Sequence, residues 1–332
     1  MSRSKTKIIV LLASIFVLLI AASCSDSGRE RKIRSTYRIG IVQLMQEKEL
    51  DTARNGVIEA IRGSNLAQEA EIIVDWADAG GQRLAVEPII EKFQANNFDL
   101  LVTLSSPCLE EAIRADLRIP LVFGVAINPK VLGLGEGSES RLIDVSGVYG
   151  EPPLPKLGDI LMKILPQTHT VGVLWNPSEI NSRYEMLALR TMCRKHKLEI
   201  LEGRARTAER LIDKAYDLLT LTPDVIVLIS DNTVARALPA IAPLIKQSNI
   251  PAVSDVAEFA QNIAVLAVGF DFHAWGMATG NMAVRVLSGT PARDIPYESF
   301  QDIKVVINMD VANSLKLEVP KDVLAMADQV IR

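Results

Sequence analysis

The stretch PDVIVLISDNTVARAL, Pro223 to Leu238, decides how the chain is read. A continuous apolar run, Val225 to Ile229, breaks at Asp231, Asn232 and Thr233, and a helix-patterned segment follows at once. The same arrangement stands earlier in FDLLVTLSSPCLEEAI, Phe98 to Ile113, with Ser105 and Ser106 at the break. A short unbroken apolar run that leads through polar residues into a helix predicts a strand buried on both faces, the signature of a parallel sheet. In both places the polar residues crown the carboxyl end of the strand.

Working outward, each half of the chain alternates strand and helix patterns. YRIGIVQL, AEIIVDWAD, FDLLVTLSS and IPLVFGVAI are strands of the first half, separated by helical stretches such as LDTARNGVIEAIRGS and PCLEEAIRADL. Pro107 falls at a first-turn position, where its missing N–H costs nothing. HTVGVLWNP, EILEGRA, PDVIVLISD and IPAVSDV repeat the order in the second half, with Ile119 and Ile250 opening matching Ile-Pro strands. The pattern predicts an α/β fold of two similar doubly wound parallel-sheet lobes. After the repeat come a further strand and helix in LAVGFDFHAWGMATGNMAVRVLSG, a final strand IKVVINM, and a short helix to the C-terminus. GLGEGSES, Gly133 to Ser140, reads as a flexible loop, because it lacks the strand-turn-helix context of a phosphate-binding glycine loop.

The 332 residues suffice for two domains, and a net charge of −4 argues against a nucleic-acid footprint. Arg3, Lys5 and Lys7 precede an apolar segment, Ile8 to Ile20, that is short for a bilayer span. It ends AASC, Ala21 to Cys24, as a lipoprotein signal peptide (1–23) does, with Cys24 as the acylated residue and 24–36 as a flexible tether. Multiple acyl chains would anchor the chain firmly outside the cytoplasm, at about 0.8 kcal/mol per buried methylene. An ordinary cleaved leader and a plain membrane anchor are the alternatives. Cys108 and Cys193 lie in different halves and are expected as buried free thiols.

In parallel α/β sheets, ligands bind outside the carboxyl ends of the strands. That rule selects Ser105, Ser106, Asn128, Tyr149, Asn176, Asn181, Asp231, Asn232, Thr233, Asp255 and Asp271 as candidate ligand contacts. Taken singly, most of these are also helix N-caps by residue type. Of Asp231, Asn232 and Thr233, one is expected to cap the following helix and the others to face a ligand. Carboxylates set among hydroxyls and amides suit an ammonium group, and two or three charge-assisted bonds of roughly 1.5–3 kcal/mol give micromolar affinity. Aromatic residues are scarce, and Tyr149 and Trp275 are the candidates for an aromatic wall. The three histidines, His169, His196 and His273, form no metal pattern, and no G-x-S-x-G elbow is present. Neither catalysis, a cofactor nor a metal is expected.

GVLWNPSEINS, SDNTVARAL, IPLVFGVAINP and VGFDFHAWGMATGNMAVRVLSG resemble the ABC transporter substrate-binding protein family whose characterised members bind tryptophan or tyrosine. The resemblance runs from about Tyr37 to Val319. It implies a type I periplasmic-binding-protein fold whose chain crosses between lobes three times, with 37–149 and about 271–300 in one lobe, and 150–270 and about 301–332 in the other. It also implies an extracytoplasmic, monomeric protein that closes about a hinge on a small solute, an amino acid or related zwitterion, and presents it to an ABC permease and its ATPase. A sensory protein of the same fold, signalling to a membrane receptor, is the alternative. Position by position, the resemblance carries ligand contact to Ser106, Asn128, Asn176, Asn181, Asp231, Asn232, Thr233, Asp255 and Asp271. The chain departs from the family pattern at Ser106-Pro107-Cys108-Leu109-Glu110, where relatives have Thr-Pro-x-x-Gln, and at Tyr149-Gly150, where they have a hydroxyl residue and Asp.

Overall fold

The computed structural model describes residues 34–135 and 144–332. The proposed leader at 1–23, Cys24, most of the tether and most of the Gly133–Ser140 stretch lie outside the described residues.

One sheet holds β1 (Thr36–Gln43), β2 (Glu71–Asp78), β3 (Leu100–Leu104), β4 (Leu121–Ala126), β5 (Val145–Gly150) and β11 (Glu298–Phe300), all parallel, in the order β11-β5-β4-β3-β1-β2. The other holds β6 (Thr170–Trp175), β7 (Glu199–Arg204), β8 (Val225–Leu228), β9 (Ala252–Ser254), β10 (Ala264–Phe270), β12 (Ile303–Asn308) and β13 (Gln329–Ile331), in the order β13-β12-β10-β9-β8-β6-β7. The repeat seen in the sequence is thus a repeat of topology, β2-β1-β3-β4-β5 against β7-β6-β8-β9-β10. β3 and β8, the strands of the two quoted stretches, are buried throughout. β2 and β7, which close one edge of each sheet, are half-exposed, as a one-sided neighbour requires.

The helices that flank the sheets are α1 (Lys48–Arg62), α2 (Val86–Ala95), α3 (Ser106–Arg114), α4 (Leu154–Ile164), α5 (Ile180–His196), α6 (Ala208–Thr220), α7 (Asn232–Ser248) and α8 (Phe272–Leu287). None of the described helices is long and apolar enough to cross a membrane. Both remaining cysteines are free and buried, as expected.

The chain passes from one sheet to the other three times, after β5, after β10 and between β11 and β12. The third passage departs from the all-parallel expectation, since β12 runs antiparallel to β10 and β13 runs parallel to β12. The reason is geometric. β11 runs toward the gap between the sheets, and only Gln301 and Asp302 separate it from β12. With no helix to reverse it, the chain enters the second sheet heading away from the gap. The expected C-terminal helix is also replaced, by two short helical segments, Met309–Ser314 and Lys321–Leu324, and then β13.

After the second passage, α8 packs back on α1 and on β4 and β5 of the first sheet. The approach is close enough to demand glycine. A Cβ on Gly276 would lie 2.0 Å from the Ala53 carbonyl oxygen, and one on Gly280 2.6 Å from that of Val57. On α1, a Cβ on Gly56 would stand 2.4 Å from the His273 carbonyl oxygen.

Candidate ligand site between the sheets

A cavity of about 80 Å³ lies where the carboxyl ends of the two sheets face each other. Since one water needs roughly 10–15 Å³ on this measure, it holds several. From the first sheet come Glu47, Glu49 and Leu50 after β1, Ser105 and Ser106 after β3, Val125 to Ile127 at β4, and Gly150 and Pro153 at β5. The second contributes Asn181 and Glu185 of α5, Ser230, Asp231 and Asn232 after β8, and Asp255, Val256 and Phe259 after β9. Phe270, Phe272 and Trp275 enter from the β10–α8 passage.

Asp231 touches the cavity but is already engaged. Its carboxylate accepts from Asn176 N at 2.7 Å, the Ser182 hydroxyl at 2.6 Å and Val234 N at 2.9 Å. It is therefore the N-cap of α7 and the tie between the β6–α5 and β8–α7 turns. Burial, reinforced by Glu179, still raises it to about 7 against these donors. Asp231→Ala should destabilise the fold by about 2–4 kcal/mol, a lost cap plus buried donors left unmade. Urea unfolding checks this, and an unchanged midpoint would contradict the role.

Beside it, acceptors stand without donors. Asn181 and Glu185 are four residues apart on α5, hence on one face. Asn181 donates through Nδ2 to the Ser230 carbonyl at 3.0 Å, which fixes its amide, while its Oδ1 has no partner. Glu185 Oε2 and both carboxyl oxygens of Asp255 are likewise buried with no hydrogen-bond partner. All three residues are more than nine-tenths buried. Burial and the neighbouring Asp255 push Glu185 well above the carboxylate range. Burial raises Asp255 to about 7, and its interaction with the adjoining Glu185 carboxyl and with the backbone N–H groups of Asp255 and Ser230 offsets only part of this. A buried acceptor with no donor costs roughly 1–3 kcal/mol, and a proton held by the Asp255–Glu185 pair meets only part of that need, so this wall remains short of N–H groups.

The opposite wall is strained and partly apolar. Ser105 has φ +110° and Val125 φ +51°, conformations that cost of order 1–3 kcal/mol each and gather at functional sites. Ser105 accepts from Cys108 N and Ser106 from Ile127 N, so both oxygens are fixed while their hydroxyl hydrogens stay available. Trp275 is held by a bond from Nε1 to the Val148 carbonyl at 3.0 Å, by stacking on Phe300 (5.3 Å, 9°) and by an edge contact with Phe270 (4.7 Å). Gly150 makes this possible, because a Cβ there would meet Trp275 at 2.5 Å and Phe270 at 2.7 Å. The missing side chain at Gly150 therefore makes room for an aromatic wall. Glu47 closes the rim, where burial and then Glu49 raise it to about 8 against a pull from Arg236. Contacts that join the rims across the gap include Lys48 Nζ to Gln261 at 3.0 Å and Arg236 Nη2 to the Gly80 carbonyl at 3.3 Å and to Met45 Sδ at 3.8 Å.

Six of the eleven expected residues thus border the cavity, namely Ser105, Ser106, Asn181, Asp231, Asn232 and Asp255. The other five do not line it, although Asn176 and Thr233 border a neighbouring cavity that also lies between the two sheets. Asn128 bonds Glu151 and caps the turn at Lys130. Tyr149 packs half-buried against the first core, on the pleat opposite Gly150. Asn176 and Thr233 bond each other at 2.8 Å, and both donate to Glu179, as does Asn232. Asp271 caps α8 through Ala274 N and pairs with Lys304 at 2.6 Å. The sequence reading missed Glu47, Glu49, Glu185, Phe259 and Phe272. Only Glu185 carried a signal, a carboxylate one turn after Asn181 on a helix that must bury that face.

Two α/β lobes of like topology, enclosing a solute-sized cavity between their carboxyl ends, define a bilobed solute-binding protein. The family model for the ABC transporter substrate binding protein matches residues 38–331, and the chain belongs to that family. It is a substrate-binding protein, not an enzyme. The chain is 24% identical over 326 residues to the tyrosine-binding protein of Clostridioides difficile strain R20291, covering 96% of this chain and 94% of that one. The fold is similar to an ABC domain from Streptococcus pneumoniae in complex with L-Trp, with TM-score 0.84 at 24% identity over 90% of this chain and all of that one. It is also similar to the ligand-free, open structure of CD0873, a substrate binding protein from Clostridium difficile, with TM-score 0.67 at 26% identity over 89% and 99% of the two chains.

Proposed function

We propose that the protein is a lipid-anchored, monomeric binding protein that captures an amino acid or related amine and delivers it to an ABC permease. Substrate-binding proteins of ABC transporters work outside the cytoplasm. The Ala21–Cys24 signal supports attachment through an acylated Cys24. The observation that carries the solute reading is the set of unpartnered acceptors at Asn181, Glu185 and Asp255, which suits an ammonium group. Phe270, Phe272 and Trp275 suit an apolar or aromatic body, and the tyrosine- and L-Trp-binding relatives agree in class. Asp255 and Asn181 are proposed contacts; Ser105 and Ser106, with their free hydroxyl hydrogens, would meet the solute from the other lobe. Closure would follow from the solute's preference for the closed form, in which both walls touch it at once.

Calorimetry of the purified protein against the amino acids and their amines tests this. One-to-one binding at micromolar Kd or tighter is expected, without turnover, and Cys24→Ser should release the protein from the membrane fraction. Absence of binding throughout would overturn the reading.

A further inference from the structure

We infer that the captured solute carries a net positive charge, an amine or guanidine whose cationic groups outnumber its carboxylates. The inference rests on the reading of the cavity as the solute site. Among the described residues, five carboxyl groups, those of Glu47, Glu49, Glu185, Asp231 and Asp255, line the cavity, and no lysine, arginine or histidine does.

The bonding of each group shows which are free. Asp231 is met by three donors of the protein. Asp255 and Glu185 have none at three of their oxygens, and the charged groups nearest Glu185 are all acidic, Asp255, Asp231 and Glu151. On the rim, Glu47 faces Glu49, Glu179 and Asp231, with Arg236 its one cationic neighbour. Glu49 faces Lys48 and Asp51. Both cations are committed elsewhere, Arg236 to the Gly80 carbonyl and Lys48 to Gln261. A neutral zwitterion would bring one positive group to this wall, together with a carboxylate that no cationic side chain of the described lining meets. Buried charge is tolerated when paired. A net cation pairs it.

The alternative is that the carboxyls take up protons when a zwitterion enters. The two cases differ in proton flow. A cation arriving at the partly protonated Asp255–Glu185 pair displaces a proton, whereas a zwitterion draws protons in.

The test uses four pairs whose members differ by one unit of positive charge, arginine and citrulline, lysine and norleucine, tyramine and tyrosine, tryptamine and tryptophan. Each is titrated by calorimetry at pH 6, 7 and 8, in two buffers of different ionisation enthalpy. The account expects the more cationic member to bind at least tenfold tighter in every pair that binds. Its affinity should fall at least several-fold from pH 8 to pH 6, with net proton release on binding. Citrulline, norleucine, tyrosine or tryptophan binding as tightly as its partner, or with proton uptake, overturns the inference and leaves the proposed function standing. Failure of all eight compounds at millimolar concentration overturns both.

Discussion

Replacing Glu185 by Gln, or Asp255 by Asn, is expected to weaken solute binding ten- to hundredfold while leaving the free protein as stable as before, or more so. Most substitutions of buried polar groups destabilise, because they strand a partner. Here no donor elsewhere in the protein is stranded, since Glu185 Oε2 and both Asp255 oxygens meet none and the two carboxyls face each other. The uncharged amide removes a buried ionisable group at almost constant volume. What is lost is the charge-assisted bond to the solute, about 1.5–3 kcal/mol. A site kept at the expense of stability is the usual pattern where function needs unsatisfied groups.

The pair also sets a pH signature with a definite sign. Asp255 is raised from 3.8 to about 7, and Glu185 is raised in the same direction. A carboxyl with a raised folded value holds its proton more tightly folded than unfolded. Its contribution is complete below the unfolded value and is lost as pH climbs through the folded one. The solute-free protein should therefore lose stability between about pH 4 and pH 7. Thermal melts of Glu185→Gln and Asp255→Asn should show a shallower decline than the parent. A variant that melts well below the parent at pH 7 would mean that the carboxyls hold the fold and do not serve a ligand.

The second large effect is expected at Gly276. A valine there should cost 3 kcal/mol or more, because its Cβ falls 2.0 Å from the Ala53 carbonyl oxygen and 2.9 Å from Ala53 Cα. Backbone cannot move aside as a side-chain tip can, so the α1–α8 pair must spread. α8 is continuous with the passage that carries Phe270, Phe272 and Trp275, so spreading should displace the aromatic wall and weaken binding as well. Urea unfolding with a solute titration checks both. Gly63→Ala serves as the control for glycine loss, since Gly63 has φ −79° and a Cβ there would meet nothing closer than the Glu59 carbonyl oxygen at 3.2 Å. Equal stability of the two variants would contradict the packing argument.

The repeat of strand order was legible because strands buried on both faces, such as β3 and β8, write themselves as unbroken apolar runs. The reversal of β12 was not, because strand direction depends on whether a helix intervenes, and IKVVINM reads the same either way. β13 is three residues long, too short for any periodicity to register.

At the site, residue type at a strand end located the right loops without saying which side chains remain free. In SDNTVARAL, Asp231 is the cap, and Asn232 and Thr233 both donate to Glu179 instead of standing free. The acceptors with nothing to accept are Asp255, Asn181 and Glu185. Glu47 and Glu49 sit in MQEKELD, which reads as a solvated charge run until the second lobe is seen to cover it.

The central claim is that Asp255, Glu185 and Asn181 await the positive end of a solute. A crystal structure of the protein with its bound solute tests it most directly. The account predicts a nitrogen of the solute within about 3.2 Å of an Asp255 carboxyl oxygen, with the body of the molecule against Trp275. A solute that turns a carboxylate toward Asp255, or one that leaves these acceptors to water alone, would contradict it.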